Sequence, residues 1–259
     1  LDQLGPADRV MLASLPGSGP RLAFTTNHAA VRKALERVVG TLEPWLLIDP
    51  AVSMSEAIAI ARGDNMTMAA VYDRECVQKG RLGTLELCRQ RIVDQAPFGV
   101  GNLKRRTASS AYALAGAIEA LGNIDGPKTV ILFSAGLLSG ARIGDLDTDA
   151  LVRSVARSAA ASRVTLYVLH LDNAFLDAMS ADQGRQPVPS FADTHMLRSG
   201  LETLADVSGG LMQNVVVGAD FAFQRIAREM SASYILGVAS APGDADGLMR
   251  MDYAQRLLD

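Results

Sequence analysis

Thr129-Val130-Ile131-Leu132-Phe133 and, further on, Val164-Thr165-Leu166-Tyr167-Val168-Leu169 decide the fold of this chain. Each is an unbroken, strand-length apolar run, the pattern of a strand buried on both faces of a parallel sheet. Between them, Asp147 or Thr148 is placed to cap a helix carrying Leu151, Val155 and Ala159 on one face. Strand, helix, strand in that order implies a parallel pair joined by a right-handed crossover. Upstream, a helix through Tyr112, Leu114, Ile118 and Leu121 runs into the turn Gly122 to Pro127. Downstream, a loop with Pro187 and Pro189 precedes a helix around Leu197 to Val207, closed by Gly209-Gly210. A short strand at Leu211 to Gln213, a helix at Phe221 to Met230 and a last strand at Tyr234 to Val238 complete the order.

Toward the amino end, the apolar run Arg9 to Leu15 stops at the turn cluster Pro16-Gly17-Ser18-Gly19-Pro20, and Arg21 to Phe24 resumes as a second strand. The pair reads as a hairpin. Asn27 then caps a helix with Val31, Ala34, Leu35 and Val38 along one face. Residues 44 to about 103 read as a helical block with no strand of its own, an insertion packed on the main sheet. Its helix starts are Ser53 with Glu56 at capping-box spacing, and Asp64. A further helix runs from Leu82 to Val93, and Pro97-Phe98-Gly99-Val100-Gly101 is expected to break the chain.

The 259 residues suffice for one large domain or two small ones. The formal charge of -3 argues against a nucleic-acid partner, which calls for a basic stripe against phosphates. No apolar stretch approaches the roughly 20 residues of a membrane-spanning helix. No signal peptide is visible, and Leu1 to Pro6 reads as the end of a helix. The two cysteines, Cys76 and Cys88, lie about equally far from the turn at Gln78 to Gly83. They could face each other across a helix pair as a disulfide, or stand as two buried thiols.

Three motifs fail on their own chemistry. Gly122 to Thr129 has the glycines of a phosphate loop, but Pro127 precedes Lys128 and the helix comes before the strand. Phe133-Ser134-Ala135-Gly136 is half of a nucleophile elbow, with Leu132 where the first glycine belongs. Asp145-Leu146-Asp147-Thr148-Asp149 starts like a calcium loop, but Ala150 and Ala156 replace its glycine and glutamate, so a helix start favoured by the dipole explains the carboxylates.

Several segments, taken in order, resemble von Willebrand factor A domains. They are Asp8-Arg9-Val10 with the hairpin to Thr26, Gly126 to Gly136, and Val164 to Val168. Leu204-Ala205-Asp206-Val207-Ser208-Gly209-Gly210 and Ile226 to Gly237 resemble the bacterial von Willebrand factor A-related branch, as do Glu56 to Asp64 and Arg74-Glu75-Cys76. The resemblance spans residues 1 to 240, with 241 to 259 as a divergent tail. It implies a doubly wound, mainly parallel sheet with one antiparallel edge strand. Residues 9 to 15, 21 to 25, 129 to 134 and 164 to 170 are then strands of that one sheet, with 21 to 25 antiparallel to its neighbour. Ligands are expected at the carboxyl ends of the strands.

Metal-competent members of this family hold magnesium there, through an Asp-x-Ser-x-Ser strand, a loop threonine and a later aspartate. The first strand belongs before Leu1, the threonine corresponds to Thr107, and Ala135 stands where the aspartate belongs. The resemblance therefore implies a degenerate site without metal or other cofactor. After Asp244 to Gly247 the family continues with a strand, whereas Met249 to Asp259 is charged and helix-like. The expected function is a non-enzymatic protein-interaction module of an exported bacterial protein, periplasmic or extracellular, with a protein ligand. Its binding face is expected at Gly17, Ser18, Thr107, Ser134, Ala135, Gly136, Asp172 and Asn173. Kinship with an exported branch favours the Cys76–Cys88 disulfide. The rival reading is an α/β hydrolase-like enzyme with its nucleophile near Ser134, favoured if a histidine and an acid converge there. A third is a scaffold whose helical insert does the recognition.

Overall fold

The computed structural model describes residues 1–2, 4–17, 19–39, 47–48, 51–79, 84–171, 191–215 and 218–231. Its centre is a parallel three-stranded sheet in the order β5 (Lys128–Ser134), β8 (Val164–Leu171), β9 (Met212–Val215). β5 and β8 pair over the whole of β5, from Lys128 with Val164 to Ser134 with His170. β8 and β9 pair from Val168 with Met212 to Leu171 with Val215. The expected strands 129–134 and 164–170 are thus neighbours in one parallel sheet.

Helices join these strands as the sequence pattern requires. α5 (Thr148–Ala161) connects β5 to β8, and α6 (Phe191–Val207) precedes β9. Asp147 caps α5, accepting from the Ala150 amide at 2.9 Å. One face of the sheet carries Val130, Leu132, Leu166 and Val168 into a core shared with Leu114 and Ile118, Val152 and Val155, and Leu201 and Leu204. The fully buried members of that core, such as Leu166, Val168 and Leu204, contribute about 1.5–3 kcal/mol each. The turn that closes α6 presses on β8: Ser208 Oγ accepts from the Leu166 amide at 3.0 Å. A β-carbon on Gly210 would stand 2.1 Å from the Leu166 carbonyl oxygen, so only glycine fits.

The helix before β5 departs from expectation. α4 runs unbroken from Leu85 to Gly122, 38 residues, with Pro97 inside it. The expected break at Pro97 to Gly101 does not occur. Ile92, Ala96, Val100, Leu103, Thr107, Ala111, Leu114, Ile118 and Leu121 recur every three or four positions, and this stripe packs successively against all three apolar clusters. Proline in a helix costs about 3 kcal/mol, largely through a lost hydrogen bond to the carbonyl four residues back. Pro97 and Val93 are both exposed, so water can satisfy that carbonyl, and burial of the continuous stripe outweighs the local penalty.

The helical block holds α2 (Met54–Ala61), α3 (Asn65–Tyr72) and a π-helical segment, Asp73–Gln78. Its helix starts match the sequence pattern. Ser53 and Glu56 form the capping box, and Asp64 accepts from the Met66 and Thr67 amides. The block does contain strand, contrary to expectation: β3 (Leu47–Ile48) and β4 (Ala51–Val52) pair antiparallel. Cys76 and Cys88 are joined as a disulfide, with α-carbons 5.8 Å apart. The bond ties the π-helical segment to the first turn of α4.

The hairpin forms as expected, β1 (Val10–Leu12) antiparallel to β2 (Leu22–Thr25), and Asn27 caps α1 (His28–Leu35). It does not join the central sheet. Among the described residues β1 and β2 make a ladder of their own, and Phe24 reaches the main core by its side chain alone. The one-sheet expectation, with its antiparallel edge strand, is corrected accordingly. A second small hairpin, β6 (Arg142–Ile143) with β7 (Leu146–Asp147), turns at Gly144, where φ is 61°. β5 is also less buried than its sequence suggests, because Thr129, Ile131 and Phe133 on alternate positions are exposed.

The chain divides into Leu1–Phe223 and Gln224–Asp259. Helix α7 (Asp220–Ser231) crosses that boundary, and within the second unit Arg225 pairs with Glu229 at 3.1 Å. The expected strand at Tyr234 to Val238 and the tail after residue 240 lie outside the described residues. Among the described residues no helix is long and apolar enough to cross a membrane.

Two outcomes follow from this packing. Gly210→Ala should lower stability by about 1–3 kcal/mol by overpacking against β8, whereas Gly116→Ala, at an open position of α4, should raise it by about 0.5–1 kcal/mol. Urea denaturation midpoints check both. Reducing Cys76–Cys88, whose partners are 12 residues apart, should cost about 3 kcal/mol. Alkylation of the native, non-reduced chain should label neither cysteine.

Candidate functional site

The carboxyl ends of β5, β8 and β9 bring Ser134, His170 and Asn214 side by side, as register partners on three adjacent strands. Ser134 is half-buried, His170 is 4% exposed, and Asn214 faces solvent. The ring of His170 holds the row together. Nδ1 lies 3.1 Å from the Asn214 amide oxygen and Nε2 lies 3.3 Å from the Ala135 carbonyl. The Ser134 hydroxyl is engaged locally: it donates to the Gly136 carbonyl at 3.1 Å and accepts from the Gly136 amide at 3.2 Å. The chain therefore curls tightly as it leaves β5.

Beyond that curl, the chain is packed down under α6. The Leu137 amide donates to the Leu197 carbonyl and the Ser139 amide to the Met196 carbonyl, both at 2.9 Å. A β-carbon on Gly136 would meet Leu197 Cβ at 2.7 Å, and one on Gly200 would meet the Leu137 carbonyl oxygen at 2.1 Å. Leu137, Leu138 and Ser139 are buried. Asp149, in the first turn of α5, accepts from the Ser139 hydroxyl and the Gly140 amide. These bonds give the Asp145 to Asp149 carboxylates helix-start and turn duties. Lys104 pairs with Asp145, and Arg142 lies 3.5 Å from Asp147.

The residues expected to line a binding face divide as follows. Ser134, Ala135 and Gly136 stand together at the strand ends, with Ala135 exposed. Thr107 is not on a loop; it is 5% exposed in the middle of α4, where the continuous stripe carries it into the interior. Gly17 lies in the hairpin turn, where its carbonyl accepts from Arg21 at 3.2 Å, and that hairpin stands outside the central sheet. Ser18, Asp172 and Asn173 lie outside the described residues. Among the described residues no three His, Cys, Asp or Glu side chains converge as a metal site. His28 bonds the Asp8 carbonyl and His195 lies beside Phe191, so neither joins the Ser134 row. An open groove of about 680 Å³ between the amino-terminal segment and α1, lined by Asp2, His28 and Arg32 among others, shares no residue with the strand ends.

Two polar arrangements escaped the sequence reading; the first joins the helical block to α6 and the second ties the block together internally. Asp193, fully buried in α6, accepts from the Met54 and Ser55 amides at 3.1 and 2.8 Å. Its carboxyl thus supplies acceptors to amides at the start of α2, which have no partner within the helix. Arg74 grips Glu56 with two nitrogens, at 2.6 and 3.0 Å, and reaches the Ala51 carbonyl at 2.9 Å. Glu75, 1% exposed, receives Arg74 at 3.0 Å, Lys79 at 2.6 Å and the Ala51 amide at 3.1 Å.

Burial works against the charged forms of Glu56 and Glu75. Hydrogen bonds from Arg74 and Ser53 to Glu56, and from Lys79, Arg74 and Ala51 to Glu75, win and hold both carboxyls below their ordinary value of 4.5. The hydrogen bond to Glu56 leads the effects that raise Arg74 above its usual range, so it stays charged.

No family model, no curated protein and no solved structure matches this chain.

Because both carboxyls are depressed in the folded state, their stabilisation is complete above 4.5 and declines as the pH falls below it. Denaturant midpoints should therefore drop with acidification in that window. Glu75→Gln should lose on the order of 2 kcal/mol at neutral pH, because Arg74 and Lys79 lose a buried countercharge, and its acid limb should be shallower.

Proposed function

We propose that this chain is a non-enzymatic protein-interaction module of von Willebrand factor A type, doubly wound in its complete form and degenerate at the metal position. The observation that carries the interaction reading is the apolar strip on β5. Ile131 is 36% exposed and Phe133 51%, two large apolar side chains on the same face of one strand of the central sheet. The fold reading is supported by the parallel order β5-β8-β9 and by the position of Ser134-Ala135-Gly136 at the strand ends, where open α/β sheets bind ligands. The degenerate-metal reading is supported by the methyl group of Ala135 and by the Ser134 hydroxyl turned onto Gly136. Magnesium asks for oxygen ligands in near-octahedral array, with carboxylates among them.

Placement in the periplasm or outside the cell is supported by the Cys76–Cys88 disulfide, which persists in oxidising compartments. The hydrolase reading draws on the Ser134–His170–Asn214 row. It needs the serine hydroxyl on a ring nitrogen of His170, but the hydroxyl is bonded to Gly136 and the ring to Ala135 and Asn214.

Calorimetric titration with magnesium or manganese should give no saturable heat, and Ala135→Asp alone should not create one. Saturable binding that disappears in Thr107→Ala would overturn the degenerate-site reading. A fluorophosphonate probe should leave Ser134 unlabelled; labelling there, lost in His170→Ala, would favour the hydrolase instead.

A further inference from the structure

We propose that the Cys76–Cys88 bond is a redox switch that sets the winding of the helical segment carrying Cys76. Bridged, Asp73–Gln78 is π-helical; as two free thiols, the chain continues α3 to Gln78 as α-helix. The proposal goes beyond the interaction-module reading and does not depend on it. α3 passes into Asp73–Gln78 without a break, since Tyr72 and Asp73 both keep right-handed helical dihedrals. A π-turn bonds each amide to the carbonyl five residues back, and it is rare and short, so it calls for a cause. Local sequence supplies none, because Met66 to Gln78 holds neither proline nor glycine.

The cause lies in what the turn has to reach. Val71 is 0% and Cys76 1% exposed, and both sit in one apolar cluster with Ile92 and Ala96 of α4. Five α-helical steps of about 100° would carry Cys76 roughly 140° round the axis from Val71. The wider π-turn advances less per residue and brings the Cys76 sulfur back toward α4, where Cys88 receives it. Glu75 is placed differently: four α-helical steps leave it only about 40° from Val71. It stays on the buried side in either winding, so its bonds to the Ala51 amide and Lys79 keep the segment on the block when the bridge is absent. Closing the bridge is a two-electron oxidation, for which the co-reactant is a disulfide-bearing oxidant. Cys88, half-buried, is the sulfur it reaches. The Cys88 thiolate displaces one sulfur of the oxidant, and the Cys76 thiolate then displaces the other from Cys88. The two protons lost by the cysteines end on the oxidant, which leaves as a dithiol.

Magnetic-resonance couplings across hydrogen bonds check this on the whole, deuterated chain, because they show which carbonyl each amide is bonded to. In the oxidised chain the Gln78 amide should couple to the Asp73 carbonyl, five residues back. After a phosphine reductant it should couple to the Arg74 carbonyl, four residues back. A chain with Cys76→Ser and Cys88→Ser together should give the reduced pattern without any reductant. Reoxidation by a small-molecule disulfide should return the wild-type coupling to Asp73. The β8 amides should stay protected from hydrogen exchange in every state, since the sheet does not depend on the bridge. A coupling that still runs to Asp73 in the reduced chain or in the double serine variant would overturn the proposal. So would loss of all helical couplings over residues 73–78 on reduction, or loss of protection in β8.

Discussion

β8 is buried on both faces, and a strand without water above or below it must satisfy its amides and carbonyls sideways. β5 and β9 supply that lateral pairing, and the other elements are arranged to hold them there. Because both neighbours run parallel to β8, each connection must climb over the sheet, and α5 and α6 cover the face of β8 that carries Leu166 and Val168. The close approaches are consequences of the same demand. Gly210 lets the end of α6 touch the β8 backbone, and Gly200 lets its middle touch the chain leaving β5. A side chain at either point would prise a covering helix from the strand it seals.

What was legible in the sequence was local chemistry. Asn27, Ser53 with Glu56, Asp64 and Asp147 all cap the helices that follow them, because a cap is decided by a side chain and an amide two or three residues away. The two apolar runs became neighbouring strands for a similar reason, since strand-length runs alternating with a helix admit few arrangements. Illegible features depended on balance or on distance. At Pro97 the breaker and the stripe disagree, and their contest is settled by packing on three separate clusters. Asp193 and the α2 amides are 138 and 139 positions apart, and no local pattern announces such a pairing.

The candidate site shows the same division. Ser134, Ala135 and Gly136 follow an apolar run, so their place at a strand end could be read directly. That His170 would bridge them to Asn214 depends on strand register, which sequence spacing does not supply. Thr107 illustrates the reverse error. Expected on a loop from the family resemblance, it is an interior residue of α4, carried inward by the continuous apolar stripe. The Gly144-Asp145 turn between β6 and β7 carried a signal, a glycine at a tight reversal, that could have been used.

The continuity of α4 also changes how this chain can be taken apart. An inserted subdomain joined by loops can be excised or transplanted, since its ends meet the host at solvent. Here the disulfide-bearing end and the sheet-covering end belong to one rod of roughly 57 Å, at about 1.5 Å per residue. A cut anywhere along it exposes one half of a buried stripe on each side. The block and the sheet are therefore inherited together: deletions that a loop-bounded insert would tolerate should be rare between residues 85 and 122. Length variation in homologous chains should instead collect in the connections on either side of that helix.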